Sequence, residues 1–89
     1  MFIDVIIPAY NEEASIFHVI DHLPKARIRH IVVADNGSTD NTRQNALKAG
    51  AVVVVQKIKG YGIACLTALA YLEKQENKPD IVVFIDGDY

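Results

Sequence analysis

The chain has 89 residues, of which 51% are hydrophobic and 22% are charged, and its formal net charge at pH 7 is -2. Its 11 Asp and Glu residues outnumber 9 scattered Lys and Arg residues, which excludes the basic surface of a nucleic-acid-binding protein. A single cysteine excludes an internal disulfide framework, and no apolar run approaches the roughly 18 residues of a membrane span, so we expect one small cytoplasmic domain.

The chain begins with a predicted strand, turn and helix. Residues 2–7 form an apolar run rich in β-branched side chains, which Pro8 is expected to stop, and Asn11 is expected to cap the helix that follows. Pro24 is expected to end this helix. Four apolar residues at helical spacing predict its buried stripe, namely Ile16, Val19, Ile20 and Leu23.

A second strand and helix follow in the same order. Residues 30–34 predict a short apolar strand, and a polar turn at residues 35–40 leads into a helix that ends near Ala49. Ser38 or Thr39 is expected to cap this helix, because a hydroxyl oxygen accepts a hydrogen bond from a free N–H group of the first turn.

The last predicted elements are a third strand at residues 51–55, a third helix at residues 63–75 and a fourth strand at residues 81–85. This helix is apolar almost all round and includes Cys65 as a packed thiol, so we expect either a covering segment or self-association through its exposed side. The alternation of strands and helices predicts an α/β fold, a Rossmann-like parallel sheet with helices on both faces.

Four polar loops are expected to meet at one edge of this sheet, because strand-to-helix turns of a parallel sheet share an edge. They are residues 8–12, 35–40, 57–62 and 86–88. Asp86 and Asp88 directly follow a strand that is expected to be buried, and carboxylate oxygens there suit a divalent cation such as Mg²⁺ or Mn²⁺. Each loop alone is ordinary turn and capping chemistry, but the four together predict a nucleotide-and-metal site.

Two other α/β classes fit the residues less well. Gly60 and Gly62 lack the third glycine of the dinucleotide-binding fingerprint, because Cys65 stands at that position. A phosphoacceptor receiver domain needs an acceptor aspartate after the third strand, where this chain has Val-Gln-Lys at residues 55–57. A non-catalytic nucleotide-binding or scaffolding module is the alternative that the sequence leaves open.

The ordered set of motifs resembles family 2 glycosyltransferases of the GT-A fold, and the resemblance extends over all 89 residues. The motifs are Ile-Pro-Ala-Tyr-Asn-Glu-Glu at 7–13, Asp-Asn-Gly-Ser-Thr-Asp-Asn-Thr at 35–42, Lys-Gly-Tyr-Gly at 59–62 and Asp-Gly-Asp at 86–88. The motif sequences are most similar to those of enzymes that resemble dolichyl-phosphate mannose synthase. The resemblance implies the N-terminal, nucleotide-sugar-binding part of a GT-A domain, truncated after the Asp-x-Asp motif.

The resemblance also implies which residues form the site. Those that bind the nucleotide sugar would be Pro8, Ala9, Tyr10, Glu12, Asp35, Asn36, Gly60, Gly62 and Asp86. Asp86 and Asp88 would hold Mg²⁺ or Mn²⁺, with Asp88 as the more direct ligand, and Lys59 is expected to be a solvated lysine. Many members have a second aspartate where this chain has Asn36, so UDP and GDP both stay open as the nucleotide.

The implied reaction is an inverting transfer of a sugar from a nucleotide diphosphate. In enzymes that resemble dolichyl-phosphate mannose synthase, the acceptor is a polyprenyl phosphate. No counterpart of the family's later acidic base lies before residue 89, so we expect nucleotide binding without turnover. The full-length protein is expected in the cytoplasm, at the cytoplasmic face of a membrane for this subgroup. Tyr71 and Tyr89 are predicted to be packing residues.

Overall fold

The computed structural model describes residues 1–88. In chain order its elements are β1 (Ile3–Ala9), α1 (Ile16–Asp21), a 3-10 turn (Lys25–Arg27), β2 (His30–Asp35), α2 (Thr42–Lys48), β3 (Val52–Val55), α3 (Tyr61–Glu73) and β4 (Ile81–Phe84). The predicted packing role of Tyr89 lies outside the described residues, whereas Tyr71 does pack against the core beneath α3.

The four strands form one parallel sheet in the order β3-β2-β1-β4. The register pairs Ile7 with Val33 across β1 and β2, and Ile6 with Phe84 across β1 and β4. A helix lies in each connection between successive strands, as parallel pairing requires. The predicted Rossmann-like α/β fold is therefore confirmed, with β1 and β2 at the centre of the sheet.

Alternate residues of the central strands face opposite sides of the sheet, and each side is covered by helices. One side packs against α1 and α2 through Val5, Ile7, Ala9, Ile31, Val33, Ile16, Ile20 and Ala46. The other side packs against α3 through Ile6, Val32, Ala34, Ala64, Ala68 and Leu72. Each fully buried Val, Ile or Leu side chain contributes about 1.5–3 kcal/mol to stability. The central strands therefore hold the loops at their ends in fixed positions.

The third helix is covered on one side only. Ala64, Ala68 and Leu72 are fully buried against the sheet, while Leu66 on the opposite side is 64% exposed. Cys65 is partly buried, and this burial raises the pKa of its thiol. Self-association through the exposed side stays a prediction. None of the helices within residues 1–88 has the length and apolarity needed to cross a membrane.

Pro8 lies inside β1 instead of ending it, so the prediction for this strand end is wrong. The N–H and C=O groups of successive strand residues point to alternate neighbours. Ile6 accepts a hydrogen bond from Ile85 on the β4 side (3.0 Å), and Ala9 accepts one from Asn36 on the β2 side (2.9 Å). The missing N–H of Pro8 therefore points to the β4 side, where β4 has already ended.

The first helix begins at Ile16, so the prediction that Asn11 caps it is wrong. Asn11 has a φ of 51°, a left-handed conformation that Asn tolerates better than most residues. The carbonyl of Glu12 then accepts hydrogen bonds from the N–H groups of Ser15 (3.0 Å) and Ile16 (2.9 Å). This extra turn delays the helix and leaves Ser15 at the N-cap position.

The second helix begins at Thr42 with Asn41 as its N-cap, so the predicted capping by Ser38 or Thr39 is also wrong. The Ser38 hydroxyl instead accepts an N–H group of the turn after β1 (2.9 Å). Asp40 accepts the Thr42 N–H (2.9 Å), so a carboxylate just before the helix satisfies one of its first-turn donors.

Candidate functional site at the carboxyl edge of the sheet

Four loops meet where the strands end, as the topology predicts. We name them loop 1 (residues 10–15), loop 2 (residues 36–41), loop 3 (residues 56–60) and loop 4 (residues 85–88). Asn11 of loop 1 donates its N–H to Ser38 of loop 2 (2.9 Å), and Asn36 of loop 2 bonds to loop 3. Gly87 of loop 4 lies against the end of β1. The loops therefore form one connected surface.

Hydrogen bonds to loop 2 and to the start of α2 fix loop 1. The Asn11 side chain accepts the Thr39 N–H (2.9 Å), and the Glu12 N–H donates to the Thr42 hydroxyl (2.8 Å). These bonds hold Asn11 in its left-handed conformation and place the next residue, Glu12, against loop 4. Loop 1 is thus held in place before any ligand binds.

Asp40 connects loop 1 to the start of α2. It accepts hydrogen bonds from the Glu13 N–H (3.3 Å), the Thr42 N–H (2.9 Å) and the Thr42 hydroxyl. Burial alone would raise the pKa of Asp40, but the hydrogen bonds from Thr42 and Glu13 outweigh it and hold the pKa below its usual value. Asp40 therefore has a structural role and stays ionised at neutral pH.

Asp35 lies at the end of β2 and its side chain is fully buried. Its carboxylate accepts the Ser38 N–H at 3.3 and 3.4 Å, and one of its oxygens lies 3.4 Å from Arg43 Nε. Arg43 is half-exposed on α2 and brings a positive charge to this part of the edge. This pairing could not be predicted from the sequence, because Arg43 lies among the polar residues of an ordinary surface helix.

Asn36 is 3% exposed, and its side-chain amide is engaged within the chain. Nδ2 donates to the carbonyls of Gln56 and Ile58, both at 2.8 Å, and Oδ1 accepts the Gly60 N–H at 2.9 Å. Both amide protons are used in this way. Asn36 therefore fixes loop 3, and the contact with the nucleotide that the resemblance implies for it stays a prediction.

Lys59 is exposed, but its ammonium group has a defined place. Nζ donates to the Asn36 carbonyl (3.1 Å) and lies 3.5 Å from the centroid of the Tyr10 ring. This is the geometry of a cation–π interaction, which is worth about 0.5–1 kcal/mol at an exposed site. Lys59 therefore links loop 3 to loop 1 and covers one face of Tyr10, which is 40% exposed.

Gly87 is buried between two exposed aspartates. A Cβ atom at this position would lie 3.2 Å from the Pro8 carbonyl oxygen, 3.4 Å from Ala9 Cβ and 3.5 Å from Glu12 Cγ. A side chain at this position would therefore be crowded by β1 and loop 1, and glycine lets loop 4 approach them closely. Asp86 and Asp88 consequently stand at the surface on either side of this contact, while Pro8 and Ala9 support it from below.

Tyr61 is a site residue that the sequence analysis missed. The pKa of its phenol is raised by burial and, in decreasing order, by the charges of Glu12, Asp88 and Asp86. The phenol therefore lies within electrostatic range of all three carboxylates. The two glycines of Gly60-Tyr61-Gly62 indicate a turn, and Gly60 does have a φ of 137°. The aromatic residue between them was the part of the motif that indicated a site.

The donor atoms of loop 4 fit a hard divalent cation. Asp86 and Asp88 offer carboxylate oxygens, which suit Mg²⁺ or Mn²⁺ better than the softer metals that prefer His and Cys. No group of three or more His, Cys, Asp or Glu residues within positions 1–88 is placed to hold a metal ion. A cation at this turn would therefore complete its shell with ligand oxygens and water.

The sequence matches a known family over almost its whole length. A family model described as Glycosyl transferase family 2 matches residues 4–89. Glucosyl-3-phosphoglycerate synthase of Mycobacterium tuberculosis is 40% identical over 97 residues, which covers 97% of this chain and 28% of that protein. Glycosyltransferase AglJ of Haloferax volcanii is 37% identical over 84 residues, covering 94% of this chain and 26% of that protein. The chain thus spans about a quarter of the length of these relatives.

The fold matches a solved relative. The crystal structure of the M. tuberculosis glucosyl-3-phosphoglycerate synthase in complex with Mn²⁺, UDP and glucosyl-3-phosphoglycerate superposes with a TM-score of 0.83 and 38% sequence identity. The superposition covers 98% of this chain and 33% of that chain. The predicted fold class, a Rossmann-like part of a GT-A fold, is confirmed by this likeness.

Proposed function

This chain belongs to glycosyl transferase family 2, and on that premise we propose that its carboxyl edge binds the nucleotide diphosphate of a sugar donor for inverting glycosyl transfer. The observation that supports this most directly is the packing of the turn at Gly87 against β1 and Glu12 of loop 1, which leaves Asp86 and Asp88 exposed at the edge of the sheet. Carboxylates held in this way are suited to receive a cation together with a diphosphate.

The site residues divide the work between them. Asp88 and Asp86 would hold Mg²⁺ or Mn²⁺, which as a Lewis acid neutralises negative charge on the leaving diphosphate. Tyr10 presents the ring face that Lys59 leaves open, and with Pro8, Ala9 and Glu12 it would border the base and ribose. Asp35 is fully buried against Ser38 and Arg43, so the contact with the base that the resemblance implies for it stays a prediction. Gly60 and Gly62, at the start of α3, would let the backbone come close to the ligand.

We propose a UDP-linked sugar as the donor. The support is the likeness to the synthase whose crystals contain UDP and Mn²⁺. Asn36 by itself does not favour either base, because its amide protons bond to loop 3. GDP is accordingly the comparison ligand in any binding experiment.

We propose that the acceptor carries a phosphate group. The motif sequences resemble those of enzymes that use polyprenyl phosphate. The crystal structure of the solved relative contains glucosyl-3-phosphoglycerate, which also carries a phosphate group. Transfer of a labelled sugar by the complete native protein, offered polyprenyl phosphate and 3-phosphoglycerate in turn, separates these classes. A product that partitions into organic solvent supports the first, and a water-soluble product supports the second. A cytoplasmic location, at a membrane face for the lipid acceptor, is part of the same proposal.

Calorimetric titration tests the proposed function. We expect the chain to bind UDP more tightly with Mn²⁺ than without it, and Asp88→Ala to weaken the metal-dependent binding by at least about tenfold, because a metal ligand is lost. Asp21→Ala is the matched control, since Asp21 is exposed on α1 and its one ion pair among residues 1–88 is with Lys25 at 3.5 Å. An affinity for UDP that changes neither with Mn²⁺ nor in Asp88→Ala would instead favour a non-catalytic nucleotide-binding module. A folded chain that binds neither UDP nor GDP would refute the proposal.

A further inference from the structure

We propose that Ser15 is a positioning residue for the Asp86-Gly87-Asp88 turn, and that it acts by fixing the peptide group that leads into Asp88. The proposal rests on the proposed function for the purpose of the turn, although the contact itself does not depend on it. Ser15 belongs to none of the motifs that the sequence analysis singled out.

The contact joins two loops that are distant in sequence. Ser15 Oγ donates to the Gly87 carbonyl oxygen at 2.8 Å, while the Glu12 carboxylate lies farther from the same hydroxyl, at 3.5 Å. Both neighbours are acceptors, so the single hydroxyl proton goes to the nearer one. Ser15 is half-buried, which shields this bond in part from water.

Ser15 gives up a common role in order to make this bond. It occupies the N-cap position of α1, where a serine side chain ordinarily accepts a hydrogen bond from an N–H group of the first turn. Here no such side-chain bond is formed. A residue that departs from a local rule in this way is more often engaged in function than in stabilising its own helix.

Besides the packing of Gly87 against β1 and Glu12, few hydrogen bonds hold loop 4. The last backbone bond before the turn runs from the Ile85 N–H to the Ile6 carbonyl (3.0 Å). Within residues 1–88, the Ser15 hydroxyl makes the only hydrogen bond to residues 86–88. Because the peptide group is planar, fixing the Gly87 oxygen also fixes the Asp88 nitrogen, and hence the direction in which Asp88 leaves the turn.

Three variants of Ser15 separate positioning from helix capping. Ser15→Thr keeps the hydroxyl, Ser15→Gly removes it, and Thr and Gly are about equally good N-cap residues. Ser15→Ala removes both the donor and the cap preference. If the hydroxyl positions the turn, the Thr variant resembles the native chain, and the Gly and Ala variants share one defect.

The first readout is independent of any ligand. Amide ¹⁵N relaxation should show Gly87 and Asp88 near the rigid order parameter of about 0.85 in the native chain and in Ser15→Thr, with lower values in Ser15→Gly and Ser15→Ala. The second readout is Mn²⁺-dependent UDP binding, which we expect to weaken about fivefold in the Gly and Ala variants, the equivalent of one neutral hydrogen bond.

The outcomes are distinguishable. Unchanged order of both amides in all three variants overturns the proposal, and so does a Gly variant that behaves like Thr while Ala alone is impaired, since that pattern indicates capping. If the native chain binds no UDP with Mn²⁺, the proposed function fails, but the amide order of the Ser15 variants still decides whether Ser15 positions the turn.

Discussion

Replacing Asn36 by aspartate changes one NH₂ group to an oxygen at constant shape, and the structure predicts that loop 3 will not tolerate it at neutral pH. The two donors that Asn36 supplies to Gln56 and Ile58, each at 2.8 Å, become a carboxylate oxygen facing two carbonyl oxygens. The hydrogen bond from the Gly60 N–H survives, because it uses the oxygen that Asn and Asp share. The change therefore removes both amide protons and adds a negative charge, while the shape of the side chain is kept.

The magnitude follows from the burial of the site. Asn36 is 3% exposed, so water does not readily replace the lost donors. A buried polar group left unsatisfied costs about 1–3 kcal/mol, and two carbonyls lose their donor, so we expect a loss of about 3 kcal/mol. The new carboxyl group is favoured in its protonated form, which donates one hydrogen bond. Its folded pKa is thus raised, and the variant regains stability as the pH falls through that value.

Urea denaturation of Asn36→Asp at pH 7 and pH 5 measures this effect. Asn77→Asp is the matched control, because Asn77 is exposed and the same chemical change there should stay within about 0.5 kcal/mol. An Asn36→Asp variant as stable as the native chain at pH 7 would show that the amide protons are not needed. In calorimetry we expect UDP and GDP binding to weaken together. A change in their ratio alone would indicate a direct contact of Asn36 with the base.

Three further predictions concern glycine packing, acid stability and association. Gly87→Ala should weaken Mn²⁺-dependent UDP binding, because its Cβ would lie 3.2 Å from a backbone carbonyl oxygen. A Cβ at Gly62 would meet nothing within 4 Å, so Gly62→Ala should leave the stability of the chain in urea denaturation undiminished. Asp40 has a lowered pKa, so its contribution to stability is present at pH 7 and is lost below about pH 4; the stability difference between the native chain and Asp40→Asn should shrink accordingly. Leu66 is 64% exposed, so Leu66→Glu should reduce any concentration-dependent dimerisation in size-exclusion chromatography, and a native chain that is monomeric at all concentrations would contradict this.

The sheet and its covering helices could be predicted because they depend on repeated apolar patterns, which many residues specify together. The starts of α1 and α2 could not, because each depends on a few contacts between distant residues. Asn11 was expected to cap a helix, but Ser38 and Thr39 of another loop hold it in a left-handed turn. The same two residues were expected to cap α2. Both errors have the same origin. Residues that connect the two loops were predicted to cap the helix next to them in the sequence.

The acidic residues of the chain show why the site lies where it does. Asp4 is fully buried at the opposite end of β1, where Arg29 binds both of its oxygens at 3.1 and 2.6 Å, and Asp35 is neutralised in part by Arg43. These carboxylates are already committed to partners within the fold. Asp86 and Asp88, in contrast, are exposed and have no hydrogen bond or ion pair with any other residue between 1 and 88. A buried carboxylate needs its partner for stability, whereas an exposed pair held at a fixed turn keeps its oxygens available. Among the aspartates of residues 1–88, the two that the fold leaves without a hydrogen bond or ion pair are thus the two that a cation and a diphosphate would use.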